Sequence, residues 1–233
     1  MKISQIIVAL DGFDSANSLL AFVRLTKETN VIYKIGKESF IKYGPALLQA
    51  SALKDCRIFL DLKLNDIPNT VANSIEAIMD MGVWMTNIHC SGGIEMMEAA
   101  VKAVERRPDN RMLLIGVTVL TSLDDDDLRQ MGYSNSAESV ALNYAKLGYF
   151  SGLDGIVCSP LETNKIKQAT DTDFLVVTPG IRPSNGIKDD QKRTQTPVEA
   201  MRMGSDYLVI GRPITKTEDP IAMISSIRET LAR

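Results

Sequence analysis

Short apolar runs alternate with longer amphipathic stretches along the whole chain. The apolar runs are rich in Val, Ile, Leu and Phe, which is typical of strands buried in a parallel sheet. Eight of them are predicted to be strands, at residues 6–10, 31–35, 57–60, 84–88, 112–117, 155–157, 174–177 and 207–210. The spacing of apolar positions between them predicts helices at 15–29, 68–81, 95–106, 137–147, 160–169 and 197–203. Alternation of this kind indicates an α/β fold.

The number of strands separates two parallel architectures. Eight strand–helix units in 233 residues predict a (β/α)8 TIM barrel, a fold that typically takes about 250 residues. An open doubly wound sheet is the structural alternative, but no G-x-G-x-x-G motif follows the first predicted strand. No Pro/Ser-rich spacer, low-complexity tract or short repeat divides the chain, so a single domain spanning 1–233 is expected.

The composition and net charge of the chain limit the classes of function that it is expected to have. A formal net charge of −3 and a pI near 5.3 give no basic surface for nucleic acid, although a local positive pocket would still suit an anionic ligand. The three cysteines are widely spaced and form no C-x-x-C pair, which argues against disulfides and structural zinc and favours the cytoplasm. The first apolar run is too short for a signal peptide, and no segment suits a membrane span.

Polar residues follow the predicted strands at the ends where barrels of this type carry their function. In chain order these positions are Asp11, Lys34, Asp61 with Lys63, His89, Thr118 with Thr121, Ser159, the run Pro179–Arg182, and Gly211 with Arg212. Barrels often bind phosphate with the loops after strands seven and eight, through glycine N–H groups, and Arg212 adds a fork of donors. A phosphate ester is therefore the expected substrate.

The densest group of charges follows the third predicted strand, at residues 61–70, with the sequence DLKLNDIPNT. Alternation along a strand puts Asp61 and Lys63 on one face. Pro68 suits the first turn of a helix, so Asp66 falls at the junction between strand and helix. A salt-bridged strand end is the structural alternative. Such junctions commonly carry active sites in α/β folds, however, and this favours a functional interpretation.

A long segment without apolar periodicity, 182–196, follows the seventh predicted strand. It carries Gly186, Lys188, Gln191, Lys192 and Arg193. Loops of this length are usually functional or disordered. We expect a lid that folds over a phosphate and uses the binding energy of that group to order the reacting end of the site.

The chain resembles the orotidine 5′-monophosphate decarboxylase family, in its bacterial form, along essentially its whole length. The strongest element is D-x-K-x-x-D-I-P-N-T at 61–70, supported by ALD at 9–11, KIG at 34–36, H-x-SGG at 89–93, VLTS at 119–122, TPGIR at 178–182 and IGR at 210–212. The resemblance implies decarboxylation of orotidine 5′-monophosphate to uridine 5′-monophosphate, the last step of de novo pyrimidine synthesis. It also implies that the reaction uses no cofactor and no metal.

The same resemblance assigns chemical roles to an alternating charged array of Lys34, Asp61, Lys63 and Asp66. Lys63 would be the general acid that protonates C6 of the pyrimidine as carbon dioxide leaves. Asp61 would lie beside the substrate carboxylate. Asp66 would be supplied by the neighbouring subunit of a homodimer.

The remaining roles implied by the resemblance concern substrate binding. Asp11 and Lys34 would contact the ribose hydroxyls, and Thr70 would reach the same sugar across the subunit interface. Thr121 would contact the base. The other expected binding residues, which lie at the junction, in the lid and around the phosphate, are Ile67, Pro179, Arg182, Gln191, Gly211 and Arg212.

Other functions stay open at this point. A metal-dependent sugar-phosphate decarboxylase or aldolase shares the Asp-x-Lys-x-x-Asp pattern, but its magnesium-bound enediolate needs a further carboxylate at the second strand, where this chain has Lys34. A ribulose-phosphate epimerase would need several metal-binding histidines, and His89 is the only histidine. A non-catalytic nucleotide-binding barrel would keep the phosphate site alone, and the intact Asp61, Lys63 and Asp66 argue against it.

Overall fold

The eight predicted strands form a closed parallel barrel in the computed structural model, which describes residues 5–183 and 195–232. The strands follow chain order around the barrel, and the last pairs with the first. They are β1 Ile6–Ala9, β2 Ile32–Gly36, β3 Ile58–Leu64, β4 Met85–His89, β5 Leu113–Val117, β6 Gly155–Val157, β7 Leu175–Thr178 and β8 Tyr207–Ile210. The prediction of a (β/α)8 barrel is confirmed.

Helices connect successive strands and pack their apolar sides on the sheet. They are α1 Ala16–Thr26, α2 Lys37–Tyr43, α3 Pro68–Asp80, α4 Ile94–Glu105, α5 Asp125–Gln130, α6 Ala137–Phe150, α7 Thr163–Ala169, α8 Pro197–Arg202, α9 Arg212–Thr215 and α10 Pro220–Leu231. The spacing of apolar residues missed α2, α5 and α9, which are too short to show a helical period. It also missed α10, although Asp219 as N-cap and Pro220 at the first position mark its start.

Two apolar layers lie on opposite faces of the sheet. The larger layer fills the space between the strands and the helices, and the smaller one fills the barrel interior. Ala9, Phe59 and Val209 belong to the interior layer and also line a cavity above it. The packed interior therefore forms the floor of a cavity that opens at the carboxyl ends of the strands.

The third strand extends four residues beyond the predicted 57–60 because its pairing with β4 is irregular. The register moves directly from the pair Leu60–Thr86 to the pair Leu64–Ile88, so three residues of β3 face one residue of β4. Lys63 lies within this bulge at a φ of 52°, a left-handed conformation that is uncommon for residues with a side chain. Bulges re-aim side chains. Here a bulge, rather than the regular alternation expected from the sequence, sets the direction of Lys63.

Residues 184–194, which make up most of the predicted lid and include Gln191, lie outside the described residues. The two flanks of this segment are joined by a parallel bridge between Ile181 and Gln195, and the N–H of Arg182 donates to the Gln195 carbonyl at 2.9 Å. Across 5–183 and 195–232, the structure contains no helix that has both the length and the apolar character to cross a membrane.

Candidate active site

The cavity at the carboxyl ends of the strands has a volume of about 500 Å³. This lies within the range of about 300–1,000 Å³ that is usual for small-molecule sites. Most of the residues that the sequence singled out line it, namely Asp11, Lys34, Asp61, Lys63, Thr121, Pro179, Arg182, Gly211 and Arg212. The predicted site is thus assembled from both halves of the chain.

Four charged side chains of alternating sign form a continuous chain on one wall of this cavity. The Lys34 ammonium lies 2.9 Å from Oδ2 of Asp11 and 3.2 Å from Oδ2 of Asp61. The other oxygen of Asp61, Oδ1, lies 2.6 Å from the Lys63 ammonium. Within one chain, the array thus begins with Asp11 beside Lys34 and ends at Lys63, and Asp66 is not part of it.

Burial and charge act in opposite directions on the two central members of this array. Burial by itself would raise the pKa of Asp61, but Lys34 and Lys63 lower it to about 2, and a hydrogen bond from Asn87 adds to this effect. Burial disfavours the Lys34 ammonium, yet Asp61 and Asp11 together raise the pKa of that lysine. Both groups are therefore ionised at neutral pH, and the array presents fixed charges.

Gly36, at the end of β2, allows the ion pair between Asp11 and Lys34 to lie against the backbone. A Cβ atom at this position would stand 2.6 Å from Oδ1 of Asp11 and 3.0 Å from the Lys34 ammonium. Distances below 3 Å between a Cβ and a heavy atom force a displacement. The glycine in the K-I-G element therefore has a physical role that the sequence did not reveal.

Asn87 of β4 is a site residue that the sequence analysis missed. Its side chain is fully buried; Nδ2 donates to Oδ1 of Asp61 at 2.7 Å, and Oδ1 accepts from the Lys63 N–H at 2.7 Å. A polar amide in the middle of an apolar predicted strand was the available signal, because buried polar groups require specific partners.

A second wall of the cavity is formed by the ends of β7 and β8. In the closed barrel β7 lies four strands from β3, whereas β8 pairs with β1, the strand that Asp11 follows. Gly180 and Gly211 bring backbone to the cavity surface here, and Arg182 and Arg212 also line it. Glycine backbone and guanidinium groups suit a phosphate, and the phosphate site stays a prediction.

Three predicted site residues lie outside the cavity of the single chain. Asp66, Ile67 and Thr70 are exposed at the start of α3, and Ile67 has 67% of its surface accessible. Oδ1 of Asp66 accepts a hydrogen bond from the Ile67 N–H at 2.7 Å. Pro68 begins α3 as predicted, so the junction has the expected local structure even though its side chains do not line the cavity.

The groups near the cavity do not resemble a metal centre. Between residues 5 and 183 and from 195 to 232, no three or more His, Cys, Asp and Glu side chains are grouped so that they could hold a metal. The Lys34 ammonium occupies the space between Asp11 and Asp61. Burial lowers the pKa of His89, and the charges of Lys37 and Lys63 lower it further.

Comparison with known proteins gives consistent matches over nearly the whole chain. Residues 4–227 match the model of the family described as orotidine 5′-phosphate decarboxylase / HUMPS. Two relatives named orotidine 5′-phosphate decarboxylase come from Shewanella sediminis (strain HAW-EB3) and Marinomonas sp. (strain MWYL1). The first is 46% identical and covers 100% of this chain and 99% of its own length; the second is 47% identical, with 98% and 97% covered.

Two solved structures share the fold. Orotidine 5′-phosphate decarboxylase from Lactobacillus acidophilus superposes with a TM-score of 0.85 at 35% identity, over 98% of this chain and 99% of that chain. An uncharacterized conserved protein from Geobacillus kaustophilus gives a TM-score of 0.84 at 36% identity, over 97% and 99%.

Proposed function

The chain belongs to the orotidine 5′-phosphate decarboxylase / HUMPS family, and from this premise we propose a cofactor-free mechanism in which Lys63 is the proton donor. The reaction converts orotidine 5′-monophosphate to uridine 5′-monophosphate and carbon dioxide, in the biosynthesis of uridine 5′-monophosphate. The observation that carries the mechanism is the array of fixed charges on one wall of the cavity, with the Lys63 ammonium 2.6 Å from Asp61.

The difficulty of this reaction lies in the electron pair that carbon dioxide leaves behind. The bond between C6 and the carboxylate breaks, and its electrons stay in an orbital in the plane of the pyrimidine ring. The π system therefore cannot delocalise them. A fixed cation beside C6 stabilises the developing charge without reorganisation, and the same Lys63 ammonium then transfers a proton to C6.

Asp61 adds a charge effect of the opposite sign. In this mechanism its carboxylate faces the carboxylate of the substrate, and the substrate group leaves as neutral carbon dioxide. Repulsion between the two anions is relieved as the reaction proceeds, which favours the transition state over the bound substrate. Because Lys34 and Lys63 hold the pKa of Asp61 near 2, this charge persists across the physiological pH range.

The substrate would span the cavity between its two walls. Asp11 and Lys34 bind the ribose hydroxyls, Thr121 and Pro179 contact the base, and the wall at the ends of β7 and β8 binds the phosphate. The phosphate wall consists of Arg182, Gly211 and Arg212. The assignment of Gln191 to the ligand rests on the sequence alone and stays a prediction.

The proposal includes a homodimer in which α3 of one subunit completes the site of the other. It is supported by the exposed positions of Asp66, Ile67 and Thr70, which share one surface at the start of α3. Asp66 would then extend the charged array beyond Lys63.

Mixing two inactive variants tests this shared site. Lys63→Ala and Asp66→Asn are each expected to be inactive, but subunit exchange between them creates one site with neither change. Recovery of up to about a quarter of wild-type activity is expected, because half of the exchanged molecules are mixed dimers and each of these has one intact site. No recovery, with dimer exchange verified by mass, would place Asp66 in its own subunit's site. Near-normal activity of Asp66→Asn by itself would place Asp66 outside any site.

The metal-dependent sugar-phosphate decarboxylase or aldolase is the rival within the same barrel type. The position of Lys34 between Asp11 and Asp61 argues against it, since a cation there opposes a second one. Loss of orotidine 5′-monophosphate absorbance in excess EDTA, with the product identified by mass, tests the choice. Turnover under chelation supports the cofactor-free mechanism, and turnover that requires added magnesium overturns it.

The proposed cellular location and partners of this enzyme follow from its composition. We place it in the cytoplasm as one domain over 1–233, without nucleic-acid or membrane partners. If the protein binds uridine 5′-monophosphate but never consumes orotidine 5′-monophosphate, it is instead the non-catalytic nucleotide-binding barrel.

A further inference from the structure

Asn87 lies on β4, directly opposite the bulge of β3. The pairs Leu60–Thr86 and Leu64–Ile88 flank it, so Asn87 is the residue of β4 that faces all three bulged residues. Its accessible surface is 0%, and it is absent from the cavity lining. Contact with a ligand therefore does not explain the side chain.

The amide oxygen of Asn87 supplies a hydrogen-bond acceptor that the irregular ladder lacks. In a regular parallel ladder, the Lys63 N–H would donate to a backbone carbonyl of an adjacent strand. Here it donates to Oδ1 of Asn87 at 2.7 Å. This bond holds Lys63 in the left-handed conformation that directs its ammonium toward Asp61.

The amide nitrogen of the same side chain fixes the orientation of the neighbouring carboxylate. Nδ2 donates to Oδ1 of Asp61 at 2.7 Å, the oxygen that also contacts the Lys63 ammonium. Oδ2 of Asp61 faces Lys34. With both ends of its amide engaged, Asn87 ties the backbone of Lys63 to the carboxylate that orients the Lys63 side chain.

We propose that Asn87 is a positioning residue, whose two hydrogen bonds hold the Lys63 ammonium and the Asp61 carboxylate in the geometry that the decarboxylation requires. This inference rests on the proposed function, because it needs Lys63 to act at the reacting carbon. Preorganised groups lose much of their effect when they are displaced by about 1 Å, with rate losses of about 100-fold.

Thr86 provides a matched control for a purely structural role. It precedes Asn87 on β4, has 0% accessible surface and donates through Oγ1 to the Leu60 carbonyl at 2.8 Å. It thus braces the same irregular strand pair, but it is bonded to backbone instead of to the charged array. Thr86→Val removes that hydrogen bond with little change of shape.

The first comparison measures kcat, KM and thermal stability for wild type, Asn87→Ala and Thr86→Val. We expect Asn87→Ala to lose about 100-fold in kcat with KM within about 3-fold of wild type, because no ligand contact is removed. Thr86→Val should lose stability and keep its kcat. A kcat within about 3-fold of wild type in Asn87→Ala, or equal losses in both variants, would overturn the proposal.

Asn87→Asp is nearly isosteric with wild type and tests the positioning role of Asn87 even if the alanine variant fails to fold. The introduced carboxyl group can donate to Asp61 as the amide did only while it is protonated. Burial and the Asp61 charge raise its pKa, whereas Lys34 and Lys63 oppose this shift. The other charged or titratable groups around Asp61 are Asp11, which lies beyond Lys34, and His89 with Lys37.

The kcat of Asn87→Asp relative to wild type should therefore fall as the pH rises from about 5 to 9, as the carboxyl group ionises. The same ratio for Thr86→Val should stay constant. A ratio for Asn87→Asp that does not change with pH contradicts the proposed role. Wild-type turnover of orotidine 5′-monophosphate is measured first: if it is absent, the proposed function fails, and if it is present while the variants behave like wild type, only the role of Asn87 fails.

Discussion

Aspartates at the two ends of the barrel have different roles. At the amino ends of the strands, Asp154 accepts the Leu114 N–H at 2.8 Å and pairs with Arg111, outside the cavity. At the carboxyl ends, the side-chain partners of Asp61 are two ammonium groups and an amide. Asp154 thus accepts a backbone N–H at the start of the sheet, whereas Asp61 lines the cavity.

The pKa values of the two aspartates shift in opposite directions. Burial raises the pKa of Asp154, and its single backbone donor and the largely exposed Arg111 do not reverse this. Asp61 is more deeply buried, yet its pKa falls to about 2 because two buried or half-buried ammonium groups face it. The mouth of the barrel therefore combines burial with several close charges, a pattern that is common at functional sites.

The largest expected effect is the loss of turnover in Lys63→Ala. The change removes the proton donor and the cation beside the reacting carbon, so kcat should fall by at least about 10⁴-fold. Binding of uridine 5′-monophosphate should be retained, because the proposed phosphate wall does not include Lys63. Stopped assays for turnover and calorimetry for binding check both parts.

Lys167→Ala is the control for this experiment at the other end of the barrel. The Lys167 ammonium lies 2.8 Å from Oδ2 of Asp206, which also accepts the Val176 N–H at 2.7 Å. Removing this ion pair should cost stability and leave kcat within about 3-fold of wild type. Near-normal turnover by Lys63→Ala would remove Lys63 from its proposed role.

The next largest effect is expected for Gly36→Ala. The added Cβ would lie 2.6 Å from Oδ1 of Asp11, so the pair of Asp11 with Lys34 has to move. We expect kcat/KM to fall about 10- to 100-fold, because both residues are proposed to hold the ribose. Steady-state kinetics at saturating and at low substrate concentration measure the loss.

Gly116→Ala is a matched clash outside the cavity lining. A Cβ there would lie 2.4 Å from Sγ of Cys90, in the layer between the sheet and the helices. This variant should lose stability while the folded fraction keeps its kcat/KM. Equal kinetic losses in the two glycine variants would show that any distortion of the barrel, and not the displaced ion pair, lowers activity.

The sequence predicted the parts of this molecule that depend on periodicity and on strand ends. All eight strands were found, because buried parallel strands read as apolar runs. Asp11, Lys34, Asp61 and Lys63 were selected because polar residues at the carboxyl ends of barrel strands meet in one place.

The sequence could not predict features that depend on a local exception to regular structure. The bulge in β3 arises from pairing with β4, and pairing irregularities leave no periodic signal. Asn87 acts only because of that bulge, and Gly36 matters only because an ion pair folds over it. The proposed roles of Asp66 and Thr70 would depend on a second subunit, which one chain does not contain.

A smaller effect concerns stability in acid. The folded pKa of Asp61 is about 2, below its ordinary value of 3.8, so its charge stabilises the fold above pH 3.8. This contribution, about 2 kcal/mol, should be lost as the pH falls from 3.8 towards 2. Urea unfolding of wild type and Asp61→Asn across this window checks it, since the variant lacks the titrating group. Parallel pH dependences of the two proteins would contradict the depressed pKa.

The smallest effect is expected for Asp154→Asn, at the other end of the barrel. The folded pKa of Asp154 is raised, so its favourable contribution exists at low pH and disappears as the pH rises through that pKa. Asparagine imitates the protonated form, and its oxygen still accepts the Leu114 N–H. Stability should therefore stay within about 1 kcal/mol of wild type and shift in favour of the variant from pH 4 to 7, with kcat unchanged. Urea unfolding and steady-state kinetics measure these two outcomes. A loss of kcat would contradict a purely structural role for Asp154.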